Sequence, residues 1–512
     1  MTRSMQDTPA PELHWHDKKR YLWLLGLIPP TAILVVTGLI ALMNWIGRET
    51  GWGWINTLSS VWWWIGPILV YLALPILDRF FGPDGQNPPD ELMEQLENDK
   101  YYRYCTYAYI PFQIVSLIYA CYLWTADDLS WLGVNDGGLG LVSKIGLALS
   151  IGVMGGIGIN TAHELGHKKV SLERWLSKVT LAQTAYGHFY IEHNRGHHVR
   201  VATPEDPASS RFGENFWQFL PRSVVGSLRS AWGLEANRMK RLDRPVLHPS
   251  NDVVNAWAMT LVLWAALTAV FGWEILPFMV LQAVYGFSLL ETVNYLEHYG
   301  LLRKQNKRGR YERCTPQHSW NSDHIATNIF LYHLQRHSDH HANPTRRYQT
   351  LRSFDEAPNL PSGYASMITL AYVPAVWRRV MDERVIAHYG GDLTRANLQP
   401  GKEEKLLARY ADRCAEYRDA QAAGLRASRA RDEGLVVVSE APAAPTAEGA
   451  ADGRARRGSS YGCPNCGYVY AEAAGAPREG FAPGTAWSDV PDSWPCPDCG
   501  VREKTDFVRL PD

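Results

Sequence analysis

Residues 141–168 read LVSKIGLALSIGVMGGIGINTAHELGHK, an apolar run that ends in two histidines. Residues 141–160 supply the ~20 residues that a helix needs to cross the hydrocarbon core of a bilayer. His163 and His167 follow at a spacing of four, which on a helix places both imidazoles on one face. The stretch therefore predicts a membrane helix with metal-ligating side chains at its polar end.

Other apolar segments of similar length predict further membrane helices. The last two form one stretch interrupted at 272–274, which is too long for a single crossing at about 1.5 Å per residue and therefore predicts a hairpin. The sequence thus predicts an all-α bundle of six transmembrane helices, at 22–44, 61–81, 105–124, 141–160, 256–271 and 275–293.

The charges between the apolar segments predict the orientation in the membrane. Lysine and arginine are concentrated between the fourth and fifth segments, whereas the loop after the third carries Asp127, Asp128 and Asp136. By the positive-inside rule, the basic segment and both termini are cytoplasmic, although the acidic segment 78–103 does not fit the rule. We expect a multi-pass protein of a bacterial inner membrane. The net charge of −1 gives no reason to expect a nucleic-acid partner.

Nine histidines lie in four clusters, at 163–167, 192–198, 294–298 and 334–341, all on the predicted cytoplasmic side. The pairs His193/His197 and His337/His341 share the spacing of four, so on helices each pair is expected to face one way. One zinc ion needs three or four protein ligands, so nine imidazoles suit two ions. Imidazole ligands are compatible with iron, zinc and copper. Four adjacent acids are candidates to orient an imidazole N–H: Glu164, Glu192, Glu297 and Asp339. The candidate ligands are His163, His167, His193, His197, His198, His298, His337, His340 and His341.

The first cluster alone supports a different chemistry. The run from His163 to His167 satisfies HExxH, the signature of zinc proteases in which the glutamate is the general base. A membrane zinc protease is therefore an alternative. It would leave most of the other histidines without a role and would have no use for an electron carrier.

The C-terminal residues 461–512 contain two CxxC pairs. Four thiolates form a tetrahedral site for iron or zinc, so a structural zinc ribbon is one interpretation. The CPxCG form of both pairs and the aromatic residues between them favour iron, and this region resembles a rubredoxin, a one-electron carrier. It holds eight acidic and four basic residues. The resemblance implies an Fe(Cys)₄ site formed by Cys463, Cys466, Cys496 and Cys499.

Residues 21–400 resemble the integral-membrane alkane 1-monooxygenases. The resemblance rests on the motifs HELGHK, EHxxGHH, NYxEHYG and LQRHSxHH, which all occur here in this order. It implies that the nine histidines bind two non-haem irons. It also implies O₂-dependent terminal hydroxylation of medium- or long-chain n-alkanes to 1-alkanols, with rubredoxin as the electron donor. An NAD(P)H-dependent flavoprotein rubredoxin reductase is the implied external partner.

The resemblance leaves an alternative within the same class of membrane diiron enzymes. Fatty-acyl desaturases and fatty-acid hydroxylases share histidine clusters and topology, but the fused rubredoxin and the NYLEHYG motif favour alkane hydroxylation. The predicted domain order is an N-terminal tail (1–20), the hydroxylase domain (21–400), a charged helix with a flexible linker (401–460) and the rubredoxin domain (461–512). The glycines of the fourth span predict close helix packing, with a narrow channel as the alternative.

Overall fold

Six long apolar helices dominate the structure, as the sequence predicts. The computed structural model describes residues 17–134, 137–307, 309–432, 459–464, 468–492, 494–497 and 502–510. Within these, the six helices long and apolar enough to span a membrane are Leu22–Thr50, Gly53–Phe81, Lys100–Thr125, Leu141–Gly166, Asp252–Phe271 and Trp273–His298. We refer to them as the first to sixth spans. The sixth ends at His298 itself, five residues later than predicted.

Further helices, outside the six spans, cover the polar end of the bundle. Phe216–Arg241 has an asparagine cap in which the Asn215 side chain accepts from Gln218 N. A capping side chain satisfies backbone N–H groups that a helix start leaves unpaired. The other described α-helices of six or more residues outside the spans are Met93–Asn98, Ser171–Leu181, Ile325–Phe330, His337–Ala342, Tyr364–Ala371, Pro374–His388, Glu403–Arg409 and Ala411–Asp432. The predicted flexible linker falls mainly outside the described residues.

The fourth and sixth spans pack at backbone contact. A Cβ added to Gly286 would lie 2.9 Å from the Gly152 carbonyl oxygen, and one added to Gly156 would lie 2.9 Å from the Gly286 oxygen. Small residues allow membrane helices to approach this closely, and the gain is van der Waals contact rather than hydrophobic burial. The glycines of the fourth span therefore serve packing, as the sequence favoured.

A chain of buried amides ties the third and sixth spans to the turn that follows the Ser171–Leu181 helix. Gln113 Nε2 donates to Gln183 Oε1 (2.8 Å), and Gln183 Nε2 donates to Gln282 Oε1 (3.0 Å). Gln282 Nε2 in turn donates to the Gln183 carbonyl (2.9 Å). Because a lipid-embedded bundle offers no water to polar groups, each amide has to find its partner within the protein.

Contacts made by two arginines fix the segments on either side of the last histidine cluster. The buried Arg336 guanidinium donates to the carbonyls of Leu351 (2.7 Å) and Asp84 (2.8 Å). Arg347 forms a bidentate pair with Glu173, at 3.0 and 3.1 Å. Bidentate arginine contacts specify geometry as well as adding energy. They place the 337–342 helix over the ends of the spans.

The C-terminal domain is a small three-stranded antiparallel sheet. Its strands are Ser460–Gly462, Val469–Ala471 and Val508–Arg509, with the first strand in the middle. Tyr470 and Trp494 pack in its core, and Trp487 covers them. The aromatic residues between the CxxC pairs thus form a core, and one of them, Tyr468, also packs against Cys463 and Cys496.

The backbone contact between the fourth and sixth spans generates a stability prediction. Gly286→Ala should lower the melting temperature of the detergent-purified protein, because overpacking costs about 1–3 kcal/mol and the nearest atoms here are backbone. Gly38→Ala is the matched control, since a Cβ at that span position meets nothing within 4 Å. Equal melting temperatures for the two variants, read by a thiol-reactive dye, would contradict the packing argument.

Candidate metal centre

The nine candidate histidines converge into two buried groups. In each group the ligand nitrogens lie within 4.8 Å of one another. The five-histidine group is His163, His167, His193, His198 and His340. The four-histidine group is His197, His298, His337 and His341. Four segments that are distant in sequence therefore contribute side chains to two adjacent sites.

A π-helical turn divides the second cluster between the two groups. Glu192–His197 is a π-helix, in which residues five apart lie on one face. His193 and His198 consequently share the five-histidine group, with their Nε2 atoms 3.1 Å apart, while His197 faces the other group. The spacing of four had predicted that His193 and His197 face one way, and the structure corrects this. The pairs His163/His167 and His337/His341 do stay together.

The nitrogen–nitrogen distances fit coordination to a metal ion. Nε2 of His340 lies 2.8 Å from that of His163 and 3.0 Å from that of His198, and Nε2 of His337 lies 2.9 Å from that of His341. Neighbouring ligands at about 2.1 Å from one ion lie about 3 Å apart. Within the described residues, Nε2 of His167, His197 and His298 has no hydrogen-bond partner. Burying such an atom is costly unless it binds something.

Burial favours the neutral form of three of these imidazoles. Burial, followed by the neighbouring imidazoles, holds the pKa of His193, His337 and His341 well below the usual range. A neutral imidazole has the lone pair that a metal needs. The donor set is thus all nitrogen, which suits iron, zinc or copper.

The four acids predicted to orient imidazoles have different contacts. Glu297 Oε2 lies 3.1 Å from His337 Nε2. The other three pair with cations: Glu164 with Lys168 (3.0 Å), Glu192 with Arg200 (2.7 Å) and Asp339 with Arg346 (2.7 Å). Burial raises the pKa of Glu192 to about 8, with Arg200 opposing the shift. These ion pairs hold the histidine segments rather than the imidazoles themselves.

Two contacts that orient imidazole rings of the site were not predicted from the sequence. Asp206 Oδ2 lies 2.8 Å from His197 Nδ1 and also accepts from the Ser209 hydroxyl (2.6 Å). The backbone oxygen of His318 lies 3.1 Å from His298 Nδ1. A partner on Nδ1 leaves Nε2 as the nitrogen available to a metal. Asp206 is separated from the histidine motifs in sequence, and a backbone carbonyl carries no side-chain signal.

Known proteins resemble both parts of the chain. The alkane 1-monooxygenase of Acinetobacter baylyi is 45% identical over 77% of this chain and 91% of its own length. That of Ectopseudomonas oleovorans is 43% identical over 78% of this chain and 94% of its own length. The chain belongs to the alkane 1-monooxygenase family. The more general fatty acid desaturase family model matches residues 142–371 of this monooxygenase-family chain.

The C-terminal domain is a rubredoxin domain. The rubredoxin family model matches residues 460–507, and rubredoxin 3 of Rhodococcus erythropolis is 68% identical over 10% of this chain and 87% of its own length. Cys463 and Cys496 are buried together against Tyr468 and Phe507. The other two predicted ligands, Cys466 and Cys499, lie outside the described residues.

The grouping of the histidines predicts which histidine substitution lowers the metal content of the protein. We expect His337→Ala to lower the iron content of the purified chain, because it removes a nitrogen that faces both His341 and Glu297. The visible absorption of the rubredoxin iron should be unchanged. His388→Ala is the control, since that histidine belongs to neither group. Equal iron content in both variants, measured by mass spectrometry of the metals, would remove His337 from the ligand set.

Proposed function

We propose that this protein hydroxylates the terminal methyl group of medium- or long-chain n-alkanes to give 1-alkanols, using O₂ and electrons from its own rubredoxin domain. The observation that carries the proposal is an apolar cavity between the spans that approaches both histidine groups. The names of the family members, alkane 1-monooxygenases, supply the reaction type. The histidines of the two groups would hold two non-haem irons.

The cavity has the chemistry of a hydrocarbon site. Its polar lining side chains are Asn160 and Thr327, and the rest of the wall consists of glycine, alanine and aliphatic side chains, among them Val70, Leu289, Val293, Leu334 and Ile368. Asn160 precedes His163 by three residues on the fourth span, and Val293 precedes Glu297 by four on the sixth. The wall is therefore about one helical turn from the metal-facing side chains. An alkane enters such a site because its transfer from water is favourable.

The balanced overall reaction shows what the protein has to bind and how many electrons it has to receive. An alkane, O₂, two electrons and two protons give an alkanol and water. The bound irons would supply the activation of O₂ and the oxidation of the C–H bond. The imidazole nitrogens would hold the ions, and the apolar cavity would confine the alkane. Since a rubredoxin carries one electron, each turnover needs two reductions by an NAD(P)H-dependent flavoprotein reductase.

The same function implies an orientation in the bilayer. We infer that the histidine groups and the rubredoxin domain face the cytoplasm of a bacterial cell, with the six spans in the inner membrane. The loop charges support this through the positive-inside rule. The need for NAD(P)H, a cytoplasmic reductant, supports it independently.

The alternatives from the sequence are less well supported. The fatty acid desaturase family model covers the shared histidine region, whereas the relatives that span most of the chain are named alkane 1-monooxygenases. A zinc protease would need Glu164 to act as a base at an open metal position. Glu164 instead forms a buried ion pair with Lys168 and accepts from Tyr348 N (3.3 Å).

Isotope labelling tests the reaction. With ¹⁸O₂, NAD(P)H, a rubredoxin reductase and n-alkanes of different length, the purified chain should release 1-alkanol that contains one labelled oxygen, since one oxygen atom of O₂ enters the product. Gas chromatography with mass spectrometry measures it. Exclusive formation of a double bond in a fatty-acyl substrate, with no labelled alkanol, would support the desaturase instead.

The cavity wall predicts substrate length preference. Ala365→Leu should disfavour the longest accepted alkanes relative to the shortest by about tenfold in kcat/KM, because it fills cavity volume and one methylene is worth about 10–200-fold in discrimination. Val262→Leu adds a methylene on an exposed side of the fifth span and should leave the preference unchanged. An identical length profile for all three proteins would place the alkane elsewhere.

A further inference from the structure

Three acids of the rubredoxin domain contact four basic side chains of the membrane domain. Glu479 pairs with Lys169 (2.8 Å) and Asp506 with Arg241 (2.9 Å). Glu503 bridges two guanidinium groups, from Arg195 at 2.5 Å and Arg238 at 2.9 Å. We call Lys169, Arg195, Arg238 and Arg241 the docking surface. Its members come from three separate segments, so the fold assembles it.

The charges beneath the docking surface are balanced only when Glu503 is included. Arg195 also pairs with Glu235 (2.5 Å) and Asp252 (3.4 Å). The network without Glu503 contains three cations (Lys178, Arg195 and Arg238) and two anions (Glu235 and Asp252). Glu503 supplies the third negative charge. Buried ions are tolerated when they are paired. Without Glu503 the network has one excess positive charge, so it is suited to bind one carboxylate.

The same docking brings the cysteines next to a histidine segment. Val199 packs against the cluster of Cys463, Cys496, Tyr468 and Phe507. It directly follows His198, a member of the five-histidine group. Its carbonyl oxygen accepts from the Arg303 guanidinium (2.7 Å), which fixes the backbone at this point.

Glu503 and Cys496 are connected by backbone contacts within the rubredoxin domain. Cys496 N donates to the Arg502 carbonyl (2.7 Å), and Pro495 forms a β-bridge with Glu503. Seating the Glu503 carboxylate between Arg195 and Arg238 therefore also sets the position of Cys496. One charged contact determines how close the rubredoxin iron comes to the histidines.

We propose that this arrangement is the electron-transfer state of the enzyme, with Glu503 as the anchor and Val199 as the point of entry for electrons. The inference rests on the proposed function and deepens it. In this state the cysteines would hold the iron that supplies one electron at a time, and the Val199 contact would lie between that iron and the five-histidine group that accepts the electron. The flavoprotein reductase would reduce the carrier again before the second transfer.

The anchor is tested by the rate of electron transfer in the full-length protein. Glu503→Gln should slow the alkane- and O₂-dependent reoxidation of the reduced rubredoxin domain by about tenfold or more, since removing one partner of a buried charge pair leaves the other uncompensated. Stopped-flow absorption of the rubredoxin iron measures this. Asp489→Asn is the matched control, because it removes an exposed carboxylate that contacts no membrane-domain residue among the described contacts. Equal rates for the two variants would overturn the anchor role.

The position of the domain is tested without any turnover. The double variant Lys169→Cys/Glu479→Cys should be joined by a short bismaleimide cross-linker, because the two long side chains meet in the docked state and the reagent spans the length that the shorter cysteine side chains leave. Lys169→Cys/Asp489→Cys is the control and should not. A cross-link that forms equally in both pairs, or in neither, would overturn the docking geometry. A specific cross-link in a protein that produces no alkanol would contradict the proposed function and leave the docking intact.

The role of Val199 is tested by measuring electron transfer and domain docking separately in the same variant. Val199→Ala should slow reoxidation several-fold by opening the contact with the cysteine cluster, while the Lys169/Glu479 cross-link forms at its normal yield. Val199→Ile should keep the rate, since it retains the apolar contact. If Val199→Ala transfers electrons at the normal rate, the entry point lies elsewhere.

Discussion

The structure depends on one constraint: nine imidazoles must be buried together at the end of a helical bundle. Buried nitrogens without partners are costly, and several here face each other at about the spacing of ligands on one ion. Metal binding would supply the missing partners, so metal affinity and folding are coupled. The Glu164–Lys168 and Asp339–Arg346 ion pairs account for how the segments hold this geometry, since they lock the backbone that carries the imidazoles.

The membrane part of the fold serves this constraint. The fourth span carries His163 and the sixth carries His298, and the glycine contact between these spans fixes their separation. A bulkier interface would move histidines that must stay within a few ångströms of each other. The buried amides of Gln113, Gln183 and Gln282 then add directional bonds where lipid provides none. Packing deep in the bundle thus sets the geometry at its end.

The sequence predicted the six spans and the convergence of the nine histidines, because apolar segment length and histidine spacing can be read directly from the chain. It could not predict the division of the second cluster. A spacing of four assumes an α-helix, and the π turn at Glu192–His197 changes which residues share a face. Gly196 permits that turn, since a Cβ there would lie 2.5 Å from the Glu192 carboxyl group. Asp206 escaped prediction because it lies nine residues after His197, outside the histidine motif. The Arg195 network escaped because its contacts join residues 40 or more positions apart in sequence.

The two reactants reach the histidines from different sides. The apolar cavity lies between the spans, next to Asn160 and Val293, whereas the rubredoxin domain sits on the polar surface beside Val199. An alkane can therefore remain in place while electrons arrive, which a reaction needing two successive one-electron transfers requires. The π turn contributes to both sides of this arrangement. It sends His197 to the four-histidine group while His198 joins the five-histidine group beside the carrier. In the proposed electron route, the unusual backbone of the second cluster would place one ligand beside the carrier and another in the four-histidine group.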